Sequence, residues 1–332
     1  MSRKNAFMVA TLAIAGAIGS MPAGAKQVIT TFDPQGSTAT YTYGINNAGA
    51  IVGYYTDSSY KEHGFVRAAS GTITSFDPTG AANTVAYSVN DAGLIAGSYW
   101  DSNSVAHGFV RGTDGTFTVF DPTGSKSTIA SGINKKGTVG GYYADSSFVN
   151  HGFVRSAKGK ITTFDPQGSI GTIVNAINDA GSVVGFYEDS NYVDHGFVRT
   201  SDGAITTFDP QGSSDTEPNG INSAGAIAGS YINSVNHAFV RAPDGTITEF
   251  DPTVSTFTTA ASIDRAGAIA GSYEDSNYVQ HGFVRSPAGT FSTFDPSGSV
   301  NTTAIDINNE RSIAGYYMDS SYVTHGFVRN RR

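Results

Sequence analysis

Hydrophobic and polar positions alternate in short runs along most of the chain. In one stretch, Tyr41 to Asn46 alternates, Asn47-Ala48-Gly49 follows, and Ala50 to Tyr55 resumes the extended pattern. Alternation over about four to eight residues indicates β-strands, and Asn with Gly between two such runs indicates a hairpin turn. His63 to Arg67 and Thr72 to Asp77 give a third and a fourth strand. No helical periodicity follows residue 25.

This four-strand unit recurs along the chain at a spacing of 44 residues, which is broken once by a spacing of 42. The Asp of its Phe-Asp-Pro motif recurs as Asp33, Asp77, Asp121, Asp165, Asp209, Asp251 and Asp295. The His of its His-Gly-Phe-Val-Arg motif recurs as His63, His107, His151, His195, His237, His281 and His325, with Ala238 replacing Gly in the fifth copy. Four short strands per period of about 40 to 50 residues are typical of a β-propeller blade. The sequence therefore predicts an all-β chain that folds as a seven-bladed β-propeller of four-stranded antiparallel blades over residues 26–332.

The phase of the repeat predicts how the ring closes. Val28 to Asp33 has the pattern of a lone fourth strand, whereas the last copy ends after its third strand at Arg329. Pairing of this N-terminal strand with His325 to Arg329 would complete the seventh blade and remove a free sheet edge. We therefore expect a closed ring with a three-plus-one clasp.

Residues 1–25 have the pattern of a secretory signal peptide. Arg3 and Lys4 precede an apolar stretch from Ala6 to Ile18, and Ala23-Gly24-Ala25 precedes the expected cleavage site. The apolar stretch is shorter than the roughly 20 residues that a membrane-spanning helix needs. We expect an exported mature chain, either periplasmic or extracellular, that does not insert into a membrane.

Composition narrows the possible functions. The chain has no cysteine, which excludes disulfides, thiolate metal sites and a cysteine nucleophile. Asp and Glu outnumber Lys and Arg by 28 to 20, and the formal net charge is −8. With no run of basic residues, nucleic acid is not expected as a partner. We expect a monomer.

The repeat resembles a known family. The run from Gly44 to Tyr55, followed by His63-Gly64-Phe65-Val66, resembles the bacterial extracellular HAF repeat family, and the fifth copy carries His237-Ala238-Phe239, the triplet behind the family name. The resemblance covers essentially all of the mature chain. It implies export and a repeat-built β fold, and it implies no reaction and no catalytic residue.

Each repeat histidine is expected to pair with a carboxylate. In a hairpin that turns around Ser70, His63 lies directly across from Asp77, and the clasp would pair His325 with Asp33. A carboxylate that orients an imidazole also occurs in catalytic triads and metal sites. Here the pairs fall on the outer strands of separate blades, so a structural link between strands is the preferred interpretation. The arginine that ends each third strand is predicted to pack between blades and cap carbonyl groups.

The loops after the second and fourth strands are predicted to share one rim of the ring. The loop after strand two reads Asp-Ser followed by Ser or Asn, with a tyrosine before it and usually an aromatic residue at its end. Asp-Ser-Asn commonly forms turns in which the side chain bonds the backbone. Its clustered oxygen atoms could also bind calcium. Beside aromatic rings, the same polar groups could bind a carbohydrate. The candidate ligand-binding residues are Tyr55, Asp57, Tyr60, Tyr99, Trp100, Asp101, Tyr143, Asp145, Tyr187, Asp189, Tyr192, Tyr273, Asp275, Tyr278, Tyr317, Asp319 and Tyr322.

Departures from the repeat are the best indication of catalysis. Asp215 and Glu217 are candidate catalytic residues, an acid and base pair if the inner strand aims both into the channel. The leading hypothesis is an exported non-enzymatic binding propeller whose rim loops hold an extracellular carbohydrate or other polymer. The alternatives are a secreted hydrolase or lyase acting at the central channel and a structural extracellular repeat protein. No metal site and no cofactor are expected. Calcium, bound by the oxygen atoms of the loops after strand two, is the one alternative.

Overall fold

All regular secondary structure is β-strand in the computed structural model, which describes residues 27–253 and 255–331. These residues form seven four-stranded antiparallel sheets, which are the blades of a seven-bladed β-propeller, as predicted. No helix in the described part of the chain has the length and hydropathy of a membrane span. The predicted signal peptide lies outside the described residues.

The strands follow one another from the centre of each blade outward. Blade one contains β2 (Ala39–Ile45), β3 (Ile51–Thr56), β4 (Glu62–Arg67) and β5 (Ile73–Phe76). Blade two contains β6 (Asn83–Val89), β7 (Ile95–Trp100), β8 (Ala106–Arg111) and β9 (Phe117–Phe120). Blade three contains β10 (Ser127–Ile133), β11 (Val139–Ala144), β12 (Asn150–Arg155) and β13 (Ile161–Phe164). Blade four contains β14 (Gly171–Ile177), β15 (Val183–Glu188), β16 (Asp194–Arg199) and β17 (Ile205–Phe208).

The remaining blades have the same order. Blade five contains β18 (Asp215–Ile221), β19 (Ile227–Asn233), β20 (Val235–Arg241) and β21 (Ile247–Phe250). Blade six contains β22 (Phe257–Ile263), β23 (Ile269–Glu274), β24 (Gln280–Arg285) and β25 (Phe291–Phe294). Blade seven contains β26 (Ser299–Ile307), β27 (Ile313–Asp319), β28 (Thr324–Arg331) and the N-terminal strand β1 (Gln27–Phe32).

The ring closes through the pairing of β1 with β28. The two strands are antiparallel from Gln27 opposite Arg331 to Phe32 opposite Gly326. This is the predicted three-plus-one clasp. Because the outer strand of blade seven comes from the other end of the chain, the third strand of the last copy does not leave an unpaired edge.

Adjacent blades pack through aromatic and guanidinium groups. The ring of Phe65 in blade one is fully buried and meets Phe32 of blade seven edge to face, with ring centroids 6.1 Å apart. Arg67 places its guanidinium carbon 4.8 Å from the centre of the same Phe32 ring and donates a hydrogen bond to the carbonyl of Ala68. The cation–π contact recurs at each blade interface of the described structure, which confirms the predicted role of the arginines.

The innermost strands carry a feature that alternation did not predict. In β2, Thr42 pairs with Gly53 and Gly44 pairs with Val52, so Tyr43 has no partner on β3. Each of the other innermost strands has a comparable register shift. A β-bulge re-aims the extra side chain, and here the bulge residue lines the central channel.

A belt of buried asparagines links the blades just beyond the ends of these strands, three residues after each bulge. Asn46 donates through Nδ2 to the carbonyl of Asn90 in the next blade, at 3.0 Å, and its Oδ1 accepts the N–H of Ala50. The Asn308 amide closes the belt onto the carbonyl of Asn46 at 2.9 Å. The corresponding donors between them are Asn90, Asn134, Asn178 and Asn222. From sequence, these residues were assigned only to a hairpin turn.

Blade six breaks the belt. Asp264 replaces the asparagine, so it has no side-chain N–H to donate, and its buried Oδ2 accepts no hydrogen bond from any described residue. Arg311 of blade seven lies with Nε 3.7 Å from that oxygen. Arg311 has a φ of 61° in the turn position that is glycine in the other blades, for example Gly267 with a φ of 89°. The aspartate and the arginine thus deviate from the repeat together, on adjacent blades.

The substitution Asp264→Asn is expected to stabilise the ring. It restores the missing donor and removes a buried charge, and a net gain of about 1 kcal/mol is the scale of one intramolecular hydrogen bond. Urea unfolding followed by fluorescence measures the change. The matched control is Asn222→Asp, which buries a carboxylate beside a blade with glycine at the position of Arg311 and is expected to destabilise. Loss of stability in Asp264→Asn would show instead that the pairing with Arg311 outweighs the missing hydrogen bond.

Candidate functional site

Two sets of loops meet on one face of the ring. Because each blade is an antiparallel meander, the connection from second to third strand and the Phe-Asp-Pro connection between blades lie at the same end. We call this end the loop face. In blade one its elements are Asp57 to Lys61 and the segment that begins at Asp77.

In every blade except blade five, an aspartate holds the loop after the second strand in its turn. Asp57 accepts through Oδ1 the N–H groups of Lys61 at 3.0 Å and Ser59 at 2.7 Å, and these bonds hold the pKa of its carboxyl below the ordinary value. The same turn is formed by Asp101, Asp145, Asp189, Asp275 and Asp319. These aspartates were predicted as ligand-binding candidates, and the structure commits one oxygen of each to its own loop.

A histidine joins this loop to the outer strand. Nδ1 of His63 lies 2.6 Å from Oδ2 of Asp77, and the corresponding pairs, including His325 with Asp33, are all formed at 2.6 to 2.8 Å as predicted. Nε2 of His63 also lies 3.3 Å from Oδ2 of Asp57, a contact that the repeat pattern does not predict. Within the described residues, the second contact recurs at 3.5 to 3.9 Å in blades two, three, four, six and seven. Blade five lacks it because its loop is two residues shorter.

The tyrosine before each loop packs on this histidine. The rings of Tyr55 and His63 are stacked with centroids 5.1 Å apart, and Tyr55 is only 8% exposed. The same contact is made by Tyr99, Tyr143, Tyr187, Tyr231, Tyr273 and Tyr317. These tyrosines are placed to support the loop, and a ligand has little access to the stacked face. Trp100 ends β7 opposite Asn83 and is half-buried.

The loop tips carry the exposed aromatic rings. Among the described residues, five aromatic side chains are between 76% and 87% exposed, namely Tyr60, Phe148, Tyr192, Tyr278 and Tyr322. Phe148 was not among the predicted ligand-binding residues, although it occupies the same loop position as the tyrosines. Blades two and five have Ser104 and Ser234 there.

Each of these aromatic residues has a left-handed backbone. The φ angle is 64° at Tyr60 and 61° to 62° at the other four. Glycine is favoured in this region because it has no Cβ, and for a bulky residue a positive φ is uncommon and unfavourable. The chain therefore keeps large aromatic rings at strained positions where they bury almost no surface.

The predicted catalytic pair is not brought together in the channel. Glu217, on β18, lines the central channel, and burial together with Asp215 raises the pKa of its carboxyl. Asp215 instead accepts the N–H of Asp194 at 3.2 Å and is not part of the channel lining. Burial, followed by the charge of Glu217, raises the pKa of Asp194 to about 6.

No group of three or more His, Asp or Glu side chains that could hold a metal ion is found among residues 27–253 and 255–331. On the loop face, the two carboxylates contact opposite ring nitrogens of the histidine: in blade one, Asp77 contacts Nδ1 of His63 and Asp57 contacts Nε2. Both ring nitrogens are therefore occupied by the carboxylates that position the loop.

Several solved structures share this fold. Streptogramin B lyase is 13% identical, with 92% of this chain and 98% of that chain covered and a TM-score of 0.61. Virginiamycin B lyase from Staphylococcus aureus is 12% identical over 91% and 99%, with a TM-score of 0.62. The β-propeller domain of the Trilobed protease from Pyrococcus furiosus, described as having an open velcro topology, is 10% identical over 88% and 97%, with a TM-score of 0.63. At these identities the likeness shows the fold alone. No family model and no curated protein matches the sequence.

The histidine links predict a pH-dependent stability. Burial alone would lower the pKa of His151, but hydrogen bonds and charges of Asp165 and Asp145 outweigh it and raise the pKa. A raised folded-state pKa adds stability below the unfolded value of about 6.5, and that stability is lost as pH rises through the folded pKa. We expect His151→Gln to lower the free energy of unfolding by about 1 kcal/mol at pH near 6, and by less at pH near 9. Ser147→Ala is the control, and equal losses for His151→Gln at the two pH values would contradict the link.

The strained loop tips predict a gain of stability on removal of the ring. Tyr60→Gly is not expected to lower the free energy of unfolding, because glycine tolerates a positive φ. The expected gain is between zero and about 1 kcal/mol. Thermal unfolding of the variant measures this change. Thr74→Gly, at an exposed position of β5, is the control and should destabilise. A clear loss of stability in Tyr60→Gly would mean that the ring contributes to folding.

Proposed function

We propose that this protein is an exported, non-enzymatic binding protein that holds an extracellular carbohydrate polymer on its loop face. The observation that carries the proposal is the set of exposed aromatic rings at Tyr60, Phe148, Tyr192, Tyr278 and Tyr322, each kept at a backbone conformation that disfavours it. Strain of this kind persists where it serves a purpose other than packing.

The chemistry of the loop tips suits a sugar ring. Tyr and Phe present a flat apolar face that can stack on the C–H face of a pyranose. Tyr192 follows the exposed Asn191, whose Nδ2 donates to Oδ2 of Asp189, and Tyr60 follows the exposed Ser58 and Ser59. Polar groups beside an aromatic face can bond the hydroxyl groups of the sugar.

The supporting shell makes the sites rigid. Asp57 closes the loop, His63 ties that aspartate to Asp77, and Tyr55 packs on the imidazole. A loop held in this way loses little conformational freedom when it binds a ligand, so the entropic cost of ordering the loop reduces the affinity only slightly. The same shell recurs, so similar sites repeat around the face.

Repeated weak sites favour a repeated ligand. A polymer that engages one ring brings its next units close to another, which raises the effective concentration at the second site. The formal net charge of −8 favours a neutral polymer over an acidic one. Export and membership of the HAF repeat family belong to the same proposal, and the leader pattern and the repeat motifs support them.

Affinity electrophoresis tests the proposal in gels that contain neutral polysaccharides from plant, fungal and bacterial walls. The intact protein should be retarded by at least one of them. Tyr60→Ala should reduce retardation about several-fold, and a variant with all five rings replaced by alanine should lose it, because avidity multiplies the loss.

The matched control is Ser104→Ala with Ser234→Ala, which alters the same loop position in the two blades without a ring. It should bind as the intact protein does. Absence of retardation by every polysaccharide tested, or full retention by the five-ring variant with an unchanged circular dichroism spectrum, would overturn the proposal and leave the loop face without a ligand role.

A further inference from the structure

The central channel is not symmetric, although the repeats that build it are. The channel encloses about 720 Å³ and is lined by every blade in the described structure. The buried positions repeat from blade to blade, as Phe65 and its copies show. The bulge positions that face the channel carry five different residue types: they are Tyr43, Tyr87, Ser131, Asn175, Asn219, Ala261 and Ile305. Since one fold serves all these blades, folding does not require this variation.

One side of the channel is aromatic. Tyr43 and Tyr87, the bulge residues of blades one and two, meet edge to face with ring centroids 5.3 Å apart, and Tyr54 stacks on Tyr43 at 6.0 Å. Tyr142 of blade three extends this lining. Burial raises the pKa of Tyr43 to about 12, so its phenol stays neutral at physiological pH.

The opposite side presents oxygen atoms that accept hydrogen bonds. In a ring of seven, blade one faces the junction of blades four and five, whose bulge residues are Asn175 and Asn219. Asn175 donates its amide N–H to the carbonyl of Pro218 at 3.0 Å, and Asn219 donates to the carbonyl of Ala260 at 3.2 Å. Their Oδ1 atoms accept no hydrogen bond from any described residue.

A carboxylate stands next to these amides. Glu217 precedes the bulge residue Asn219 by two residues on β18, and both residues line the channel. Glu217 forms no ion pair with a described basic residue. This side of the channel thus offers acceptors and a negative charge. The basic residues of the channel lining, Lys135 and Arg265, lie on blades three and six, and neither forms an ion pair with Glu217.

We propose that the channel binds one small organic ammonium ion per chain. Its N–H groups would bond Glu217 and the Oδ1 atoms of Asn175 and Asn219, and its apolar ring would lie against Tyr43 and Tyr87. Aromatic side chains pack favourably against a second aromatic ring, and a carboxylate within a cleft focuses the negative potential of an acidic protein. The site is distinct from the loop tips and does not depend on the proposed function.

Isothermal titration with 2-phenylethylamine tests this site, and 2-phenylethanol serves as the uncharged probe of the same shape. The amine should bind with a stoichiometry of one, at least about tenfold more tightly than the alcohol, which is the scale of a hydrogen bond to a charged group. Glu217→Gln keeps the shape of the side chain and should remove that advantage. Asp202→Asn, an equal charge change in an exposed turn, should not.

A second pair of variants tests the aromatic side. Tyr43→Ala removes the aromatic contact with the ligand's ring and should weaken binding of the amine about tenfold, whereas Tyr60→Ala on the loop face should not change it. Absence of saturable amine binding, equal binding of amine and alcohol, or equal effects of Glu217→Gln and Asp202→Asn would overturn the proposal. Polysaccharide retardation measured on the same variants distinguishes this outcome from failure of the loop-face proposal.

Discussion

The structure depends on a backbone ladder between the two ends of the chain. Once β1 pairs with β28, each blade has a neighbour on both sides, and the buried phenylalanines and the arginines over them can be repeated around the ring. An open array would expose one apolar blade face at each end. Closure also allows the asparagine belt to run from Asn308 back to Asn46, between residues that are far apart in sequence.

The repeat separates two kinds of position. The Phe-Asp-Pro and His-Gly-Phe-Val-Arg segments keep the blade and its loop in place. Their side chains are buried or hydrogen-bonded to one another. The loop tips and the channel carry residues that folding does not demand. At the tips, a similar aromatic ring is presented several times, whereas in the channel the bulge residues are tyrosine on one side and asparagine on the other, with smaller or aliphatic residues between them. The first arrangement suits a ligand made of like units, and the second suits a single asymmetric molecule.

The fold and the histidine pairs could be predicted because they follow from a period and a register. Counting across the hairpin placed His63 opposite Asp77. The contact of the same histidine with Asp57 depends on the path of a loop, which alternation does not specify. The bulge at Tyr43 was not predicted because the alternation continues through Tyr43 to Gly44 and breaks only at Ile45, at the end of the strand. Phe148 was not predicted because four of the five exposed rings at this loop position are tyrosines, although its place in the repeat is the same as theirs.

The distribution of the exposed rings around the face has a further consequence. Blades two and five lack a ring, so the occupied blades are not evenly spaced. Rings on neighbouring blades occur at blades three and four, six and seven, and seven and one, whereas the remaining intervals skip a blade. A stiff chain whose contact points match the shorter interval can therefore lie on the protein in only a few orientations. Because two blades carry serine in place of a ring, a nearly rotationally symmetric molecule has preferred orientations for a polymer bound across its loop face.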